Sequence, residues 1–164
     1  MESTARPGHR TLVVADWAID AEAVAVGCRA AGASELSLVV PAWLHGIDWV
    51  GDPLASVPCA ERQIERITAQ CGAAGLRVTC ARVGHPDPLS AIGDAIADGA
   101  VDRILLFARG RHASPAYPFG VARRAARLSG VAVRSFAVPP AGRPRRRRRV
   151  AGGHCEPLPQ IRVA

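Results

Sequence analysis

Apolar positions along the chain fall into two alternating patterns. Short apolar runs recur at residues 11–15, 36–40, 76–83, 101–107 and 131–138. Runs of this length are predicted to be strands, and the nearly continuous ones suit strands buried on both faces. The third run, Leu76-Arg77-Val78-Thr79-Cys80-Ala81-Arg82-Val83, largely alternates apolar with polar, as a less covered strand would. The intervening segments carry apolar residues at helical spacing. Val24 and Cys28 lie four apart within 21–31, and Ala60, Ile64, Ile67 and Cys71 form one face of 56–74. Leu89, Ile92 and Ile96 do the same before Gly99, and Val121, Ala125 and Leu128 before Gly130.

Punctuation supports these boundaries. Gly32, Gly72, Gly75 and Gly130 sit where helices are expected to stop. Ser56 is placed to cap the second helix, with Pro58 in its first turn, and Asp87-Pro88 reads as an N-cap followed by Pro at the first helical position. Pro41 ends ladder donation in the second strand. Residues 42–52 have no clean period and hold Trp43 and Trp49, a pair suited to a lid or to folding back onto the core. The order is βαβαβαβαβ, which predicts a single α/β domain with an open parallel five-stranded sheet and helices on both faces.

Composition narrows the class. The 164 residues are 49% hydrophobic and 21% charged, the balance of a globular domain rather than a disordered chain. No run of eighteen apolar residues occurs, so no membrane span is expected. MESTARPGHR shows no basic region leading into an apolar one, so no secretory signal is expected and the cytoplasm is the expected compartment. The net charge is +7, all 21 basic residues are Arg, and seven of these lie in residues 141–164. The expected organisation is an N-terminal arm at 1–9, the α/β domain at 10–140 and an Arg-rich disordered tail at 141–164. The block Arg143-Pro144-Arg145-Arg146-Arg147-Arg148-Arg149 is either a solvated tail or a non-specific polyanion binder. No aromatic residue interleaves it to stack on bases. Five cysteines, an odd number with no C-x-x-C pair, read as reduced thiols, with Cys28, Cys71 and Cys80 packed as small hydrophobes. Only His154-Cys155 puts two candidate metal ligands together.

The candidate chemistry gathers in the loop after the fourth strand, Phe107-Ala108-Arg109-Gly110, then nine residues, then Gly120-Val121. Glycines admit close backbone approach, and the amides opening the next helix favour an anion. Arg109, Arg111, Arg123 and Arg124 lie in or beside this loop and are either phosphate ligands or solvated surface charges. His112 lies in the same loop. Asp16, after the first strand, is either a helix cap or a ligand contact. His85, Asp87 and Ser90 match a triad by type only, and capping accounts for Asp87. No acid/base pair or metal-ligand set is recognisable, so a binding protein is expected rather than an enzyme, with slow hydrolysis of a bound ligand left open.

On these residues the chain resembles the universal stress protein family over residues 10–140. ATP-binding members carry Gly, two residues, Gly, nine residues, then Gly followed by Ser or Thr. Gly110 and Gly120 match, while Phe107 stands for the first Gly and Val121 for the Ser or Thr. Asp16, Val83-Gly84 and Val101-Asp102 also fit the family's pattern.

The resemblance implies strand order 3-2-1-4-5 and an adenine-nucleotide crevice at the carboxyl ends of strands one and four. Ala15, Asp16 and Val40 would line it from the first two strands. Phe107, Arg109, Gly110, Gly120, Val121 and Ala122 would line it from the fourth strand and the helix that follows. ATP or AMP would bind weakly, with Mg only alongside the nucleotide, because Val121 lacks a hydroxyl and the Phe107 ring intrudes. Pro41 would also remove an N–H near the adenine. The implied role is a cytoplasmic stress-response regulator, homodimeric through the edge strand from Val131 to Val138. The alternatives are a dimeric interaction module of the same fold without nucleotide, or polyanion binding through the tail.

Overall fold

Every residue of β1 (Thr11–Ala15) is buried, the condition of a strand covered on both faces. The other strands are β2 (Glu35–Pro41), β3 (Arg77–Gly84), β4 (Arg103–Arg109) and β5 (Ala132–Val138). The helices are α1 (Ala21–Ala30), α2 (Val57–Ala73), α3 (Pro88–Ala97) and α4 (Val121–Ser129). In this computed structural model, which describes residues 10–43, 52, 54–109 and 120–138, the sheet order is β3-β2-β1-β4-β5. All four pairings are parallel. The predicted fold class and strand order are those observed. The arm 1–9, the tail 141–164 with His154 and Cys155, Trp49, Gly110, Arg111 and His112 lie outside the described residues.

Side-chain alternation sorts the core into two layers. Val13, Ala15, Leu38, Val40, Leu105 and Phe107 pack with Val24 and Cys28 of α1 and with Ala60, Ile67 and Cys71 of α2. Leu12, Val14, Val39, Ile104 and Leu106 pack on the opposite face with Ala91, Ile92, Val121 and Ala125 of α3 and α4. Two helices on each face follow from right-handed crossovers that run one way from β1 to β3 and the other way from β4 to β5.

Four local expectations change. β4 runs to Arg109, not Phe107, because Ala108 and Arg109 stay in register with Ala137 and Val138. Phe107 is a buried strand residue, as the apolar run predicts, and is 1% exposed. Ser56 precedes α2 but makes no side-chain cap, since its backbone is already helical (φ −86°, ψ −9°) where a capping residue is extended. Cys80 is exposed rather than packed, because β3 is an edge strand exposed at Arg77, Thr79, Cys80 and Ala81. Cys59 is disulfide-bonded, so reduced thiols hold for Cys28, Cys71 and Cys80 among the described cysteines. Burial, with a smaller push from Cys71 and against the pull of Arg103, raises the Cys28 thiol to about 12, which leaves it unreactive. Burial raises Cys71 as well.

Phe107 fixes how closely α1 approaches the sheet. Its ring stacks on Phe136 of β5 at 4.5 Å between centroids. A Cβ added at Gly27 of α1 would stand 2.7 Å from Phe107 Cζ and 3.5 Å from Phe136 Cδ1. Glycine costs a helix about 1 kcal/mol against alanine, and here it makes room for the ring. Gly27→Ala should therefore destabilise the domain by about 1–3 kcal/mol through overpacking. Phe107→Leu should relieve part of that loss when the two are combined. Urea unfolding midpoints of the two single variants and the double variant check this; additive losses would show that the contact does not couple them.

Candidate functional site

The order of the sheet reverses between β1 and β4, and in open α/β sheets that switch point forms a crevice at the carboxyl ends of the strands. β1 ends at Ala15, in register with Phe107 of β4. The chain leaves β1 as the Asp16 amide donates to the Phe107 carbonyl at 2.9 Å. Asp16 is buried, and its Oδ1 accepts from the Ala18 amide at 2.9 Å, a local turn bond. Its Oδ2 accepts from Arg109 Nε at 3.0 Å, with the Asp16 side chain 2% and the Arg109 side chain 29% exposed. A buried carboxylate needs such partners, because desolvating an unpaired charge costs several kcal/mol.

Asp16 is therefore not the α1 cap. That position belongs to Asp20, whose carboxylate accepts from the Glu22 amide at 3.3 Å. The loop between them is held from outside the sheet. Gln63 of α2, 2% exposed, donates through Nε2 to the Ile19 carbonyl at 2.7 Å. Trp17 Nε1 donates to the Trp43 carbonyl at 2.7 Å. Trp43 itself packs on the α3/α4 layer, so the fold-back reading holds for this residue. Sequence reasoning missed Asp20, Gln63 and the Arg109 contact. The legible signal was a Gln on the apolar face of α2, one residue before Ile64.

The remaining predicted site residues are placed as follows. Ala15 and Val40 are buried in the α1/α2 layer with Phe107, and their side chains belong to the core. The Phe107 ring lies against α1 and Phe136, so it does not stand in the crevice, which corrects the expected intrusion. Gly120 caps α4 with extended backbone and no side-chain bond, and Val121 and Ala122 are buried in its first turn. Gly110, the remaining glycine of the pattern, is outside the described residues. Pro41 ends β2 opposite Gly84, and the ladder resumes one residue later as the Ala42 amide donates to the Gly84 carbonyl at 3.2 Å. Gly84 allows this corner to close, since a Cβ there would stand 2.7 Å from Val39 Cγ1 and 2.8 Å from Ala91 Cβ.

The His85, Asp87 and Ser90 group is a cap. Asp87 accepts from the Ser90 amide at 3.0 Å and the Ser90 hydroxyl at 2.8 Å. His85 Nδ1 accepts from the Asp87 amide at 3.0 Å, so the hydroxyl is committed to the carboxylate and not to the imidazole. A separate cavity of about 500 Å³ lies toward the amino ends of the strands, lined by Arg10, Ser37, Cys80, Arg82, Asp98 and apolar residues of β1 and β2. It is on the far side from the switch point, with Arg82 paired to Asp98.

Burial raises the Asp87 carboxyl, but bonds from Ser90 and the Leu89 amide, together with His85, bring it below the usual carboxylate range. A carboxylate so depressed stabilises the fold fully above its ordinary value and loses that contribution as pH falls through the depressed one. Asp87→Ala should cost about 1 kcal/mol at neutral pH. The difference from the parent should shrink below the ordinary carboxylate range and vanish in stronger acid. Thermal melts from neutral to acid pH check it; a pH-independent difference would mean that the charge is irrelevant to the cap.

No protein-family model matches the chain, and no curated protein matches it. Among solved structures it is similar to a universal stress protein in complex with cAMP, with a TM-score of 0.53 and 17% identity over 80% of this chain and 98% of that one. That likeness establishes the shared fold.

Proposed function

We propose that this chain is a universal-stress-protein-like regulator of the cytoplasm that binds an adenine nucleotide at the switch point between β1 and β4. One observation carries the reading. Asp16 and Arg109 meet at the carboxyl ends of adjacent strands, at the place where this fold forms its crevice. The α4 helix begins next along the chain at Val121, and its first amides favour a phosphate. The comparison protein holds cAMP, an adenine nucleotide, in the same fold. Among the described residues no helix is long and apolar enough to cross a membrane.

The Phe107 ring does not weaken this site, whereas Val121 still lacks the hydroxyl of the family pattern. AMP or ATP, the latter with Mg, is expected to bind in the range of tens of micromolar. Val121→Ser should tighten ATP binding about tenfold, or about 1.4 kcal/mol, by adding one donor to a charged acceptor. Titration calorimetry on the full chain checks both. The reading fails if neither nucleotide binds at about 1 mM, the weak end of specific recognition.

Among the described residues β5 is an edge of the sheet without a further strand beside it, which supports self-association through residues 131–138. Val133 and Phe136 pack inward on opposite layers, so the edge is recognised by its backbone and by exposed Ala132, Arg134 and Ala137. Sedimentation at about 100 µM should show a dimer, a concentration suited to moderate affinity. Replacing Ala132 and Ala137 with Lys should give a folded monomer, as lysines do on natural edges. A monomeric parent protein would exclude the edge pairing.

A further inference from the structure

We propose that Arg109, anchored by buried Asp16, is the anion receptor of the switch-point crevice, and that the crevice selects its ligand by a phosphate ester rather than by ribose hydroxyls. This rests on the nucleotide reading above and assigns each residue of the pair a role within it.

The two oxygens of Asp16 are each engaged, Oδ1 by the Ala18 amide and Oδ2 by Arg109 Nε. The side chain is 2% exposed and its charge is matched by the guanidinium beside it. A ribose diol seeking that carboxylate would have to displace Arg109 or reach past it into the core. Displacement strands a buried charge, which makes the exchange unfavourable. Asp16 is thus built to hold Arg109.

Arg109 is held at one end only. Among the described residues its guanidinium donates through Nε to Asp16, and neither Nη group makes a hydrogen bond. The side chain is 29% exposed at the carboxyl end of β4. Fixing Nε against a buried partner leaves Nη1 and Nη2 as a planar fork, the geometry that grips two oxygens of one phosphate. The anchor also restricts the long side chain before a ligand arrives, which lowers the ordering cost of binding. The Asp16 contact uses Nε of the guanidinium and leaves its two Nη groups for solvent or a ligand.

The ligand class follows from this chemistry. It is a phosphate monoester or a cyclic phosphodiester of an adenine nucleoside. In a 3′,5′-cyclic phosphodiester one hydroxyl of the diol is already esterified, so a site that ignores the diol admits both forms.

The test uses the full chain at fixed ionic strength, with AMP, 2′-deoxy-AMP, 3′,5′-cyclic AMP, adenosine and inorganic pyrophosphate as probes in titration calorimetry. 2′-Deoxy-AMP should bind within twofold of AMP, and adenosine at least tenfold more weakly. Cyclic AMP within fivefold of AMP places the phosphodiester in the same class, and a weaker cyclic ligand confines the class to monoesters. Arg109→Lys keeps the charge but loses the fork, and should weaken AMP at least fivefold while leaving adenosine unchanged. Arg109→Gln should bring AMP down to the affinity of adenosine. The unaltered protein decides the matter even if that variant does not fold. Loss of fivefold or more on removing the 2′-hydroxyl, or equal binding of AMP and adenosine, overturns the proposal. If no adenine compound binds, the nucleotide reading fails and pyrophosphate decides this one. A rise in Tm of the parent protein that Arg109→Lys halves upholds an anion receptor, and the absence of any rise overturns it.

Discussion

The complete burial of β1 is the constraint on which the rest of the structure depends. Five consecutive buried residues require a neighbour strand on each edge and a helical layer on each face. β2 and β4 supply the edges, α1 and α2 one face, α3 and α4 the other. Once the crossovers are right-handed, the chain must leave β1 toward one side and return to build β4 on the other. The helices that follow β1 and β4, α1 and α4, then cover opposite faces of the sheet. The switch point between β1 and β4 is a by-product of covering the central strand.

β4 carries an arginine near each end of the face that packs under α1. Arg103 donates to Thr11 Oγ1 at 2.8 Å and to the carbonyls of Ala31 and Gly32 at 2.6 and 3.1 Å, so it meets the negative end of α1. Arg109 meets Asp16 before the start of that helix. The first contact closes a helix terminus and uses Nε, Nη1 and Nη2 of the guanidinium. The second uses Nε alone. Two residues of one type on one strand thereby divide into one bonded through all three guanidinium nitrogens and one bonded through Nε alone, and only the partners distinguish them.

Much of the fold was legible because burial writes itself into periodicity. The apolar run gives Thr11–Ala15 its observed bounds, helical spacing gives the start at Ala21, and the Asp87 cap with the proline behind it gives the start at Pro88. Strand order came from the family resemblance, since periodicity does not say which strands are neighbours. The candidate site was harder to read. Asp16 could be found as an acidic residue after a buried strand, but its partner lies 93 residues away and no local pattern links them. The motif spacing predicts that the Phe107 ring intrudes on the crevice, while its contacts with Gly27 and Phe136 hold it in the core. Cys80 looked like a core residue by type, and only the edge position of β3 exposes it. The Phe107 and Cys80 errors both concern long-range arrangement, which sequence reports poorly.

The packing of Gly27 against Phe107 turns two distant positions into one shared volume. A helix residue with no side chain and a strand residue with a large one fill the space that two residues of ordinary size would otherwise divide. Where this fold has glycine at the equivalent of Phe107, the helix above regains room for a side chain. Substitution history at the two positions should therefore be correlated and opposite in size. A lineage that enlarged one without reducing the other would have had to move the helix away from the sheet.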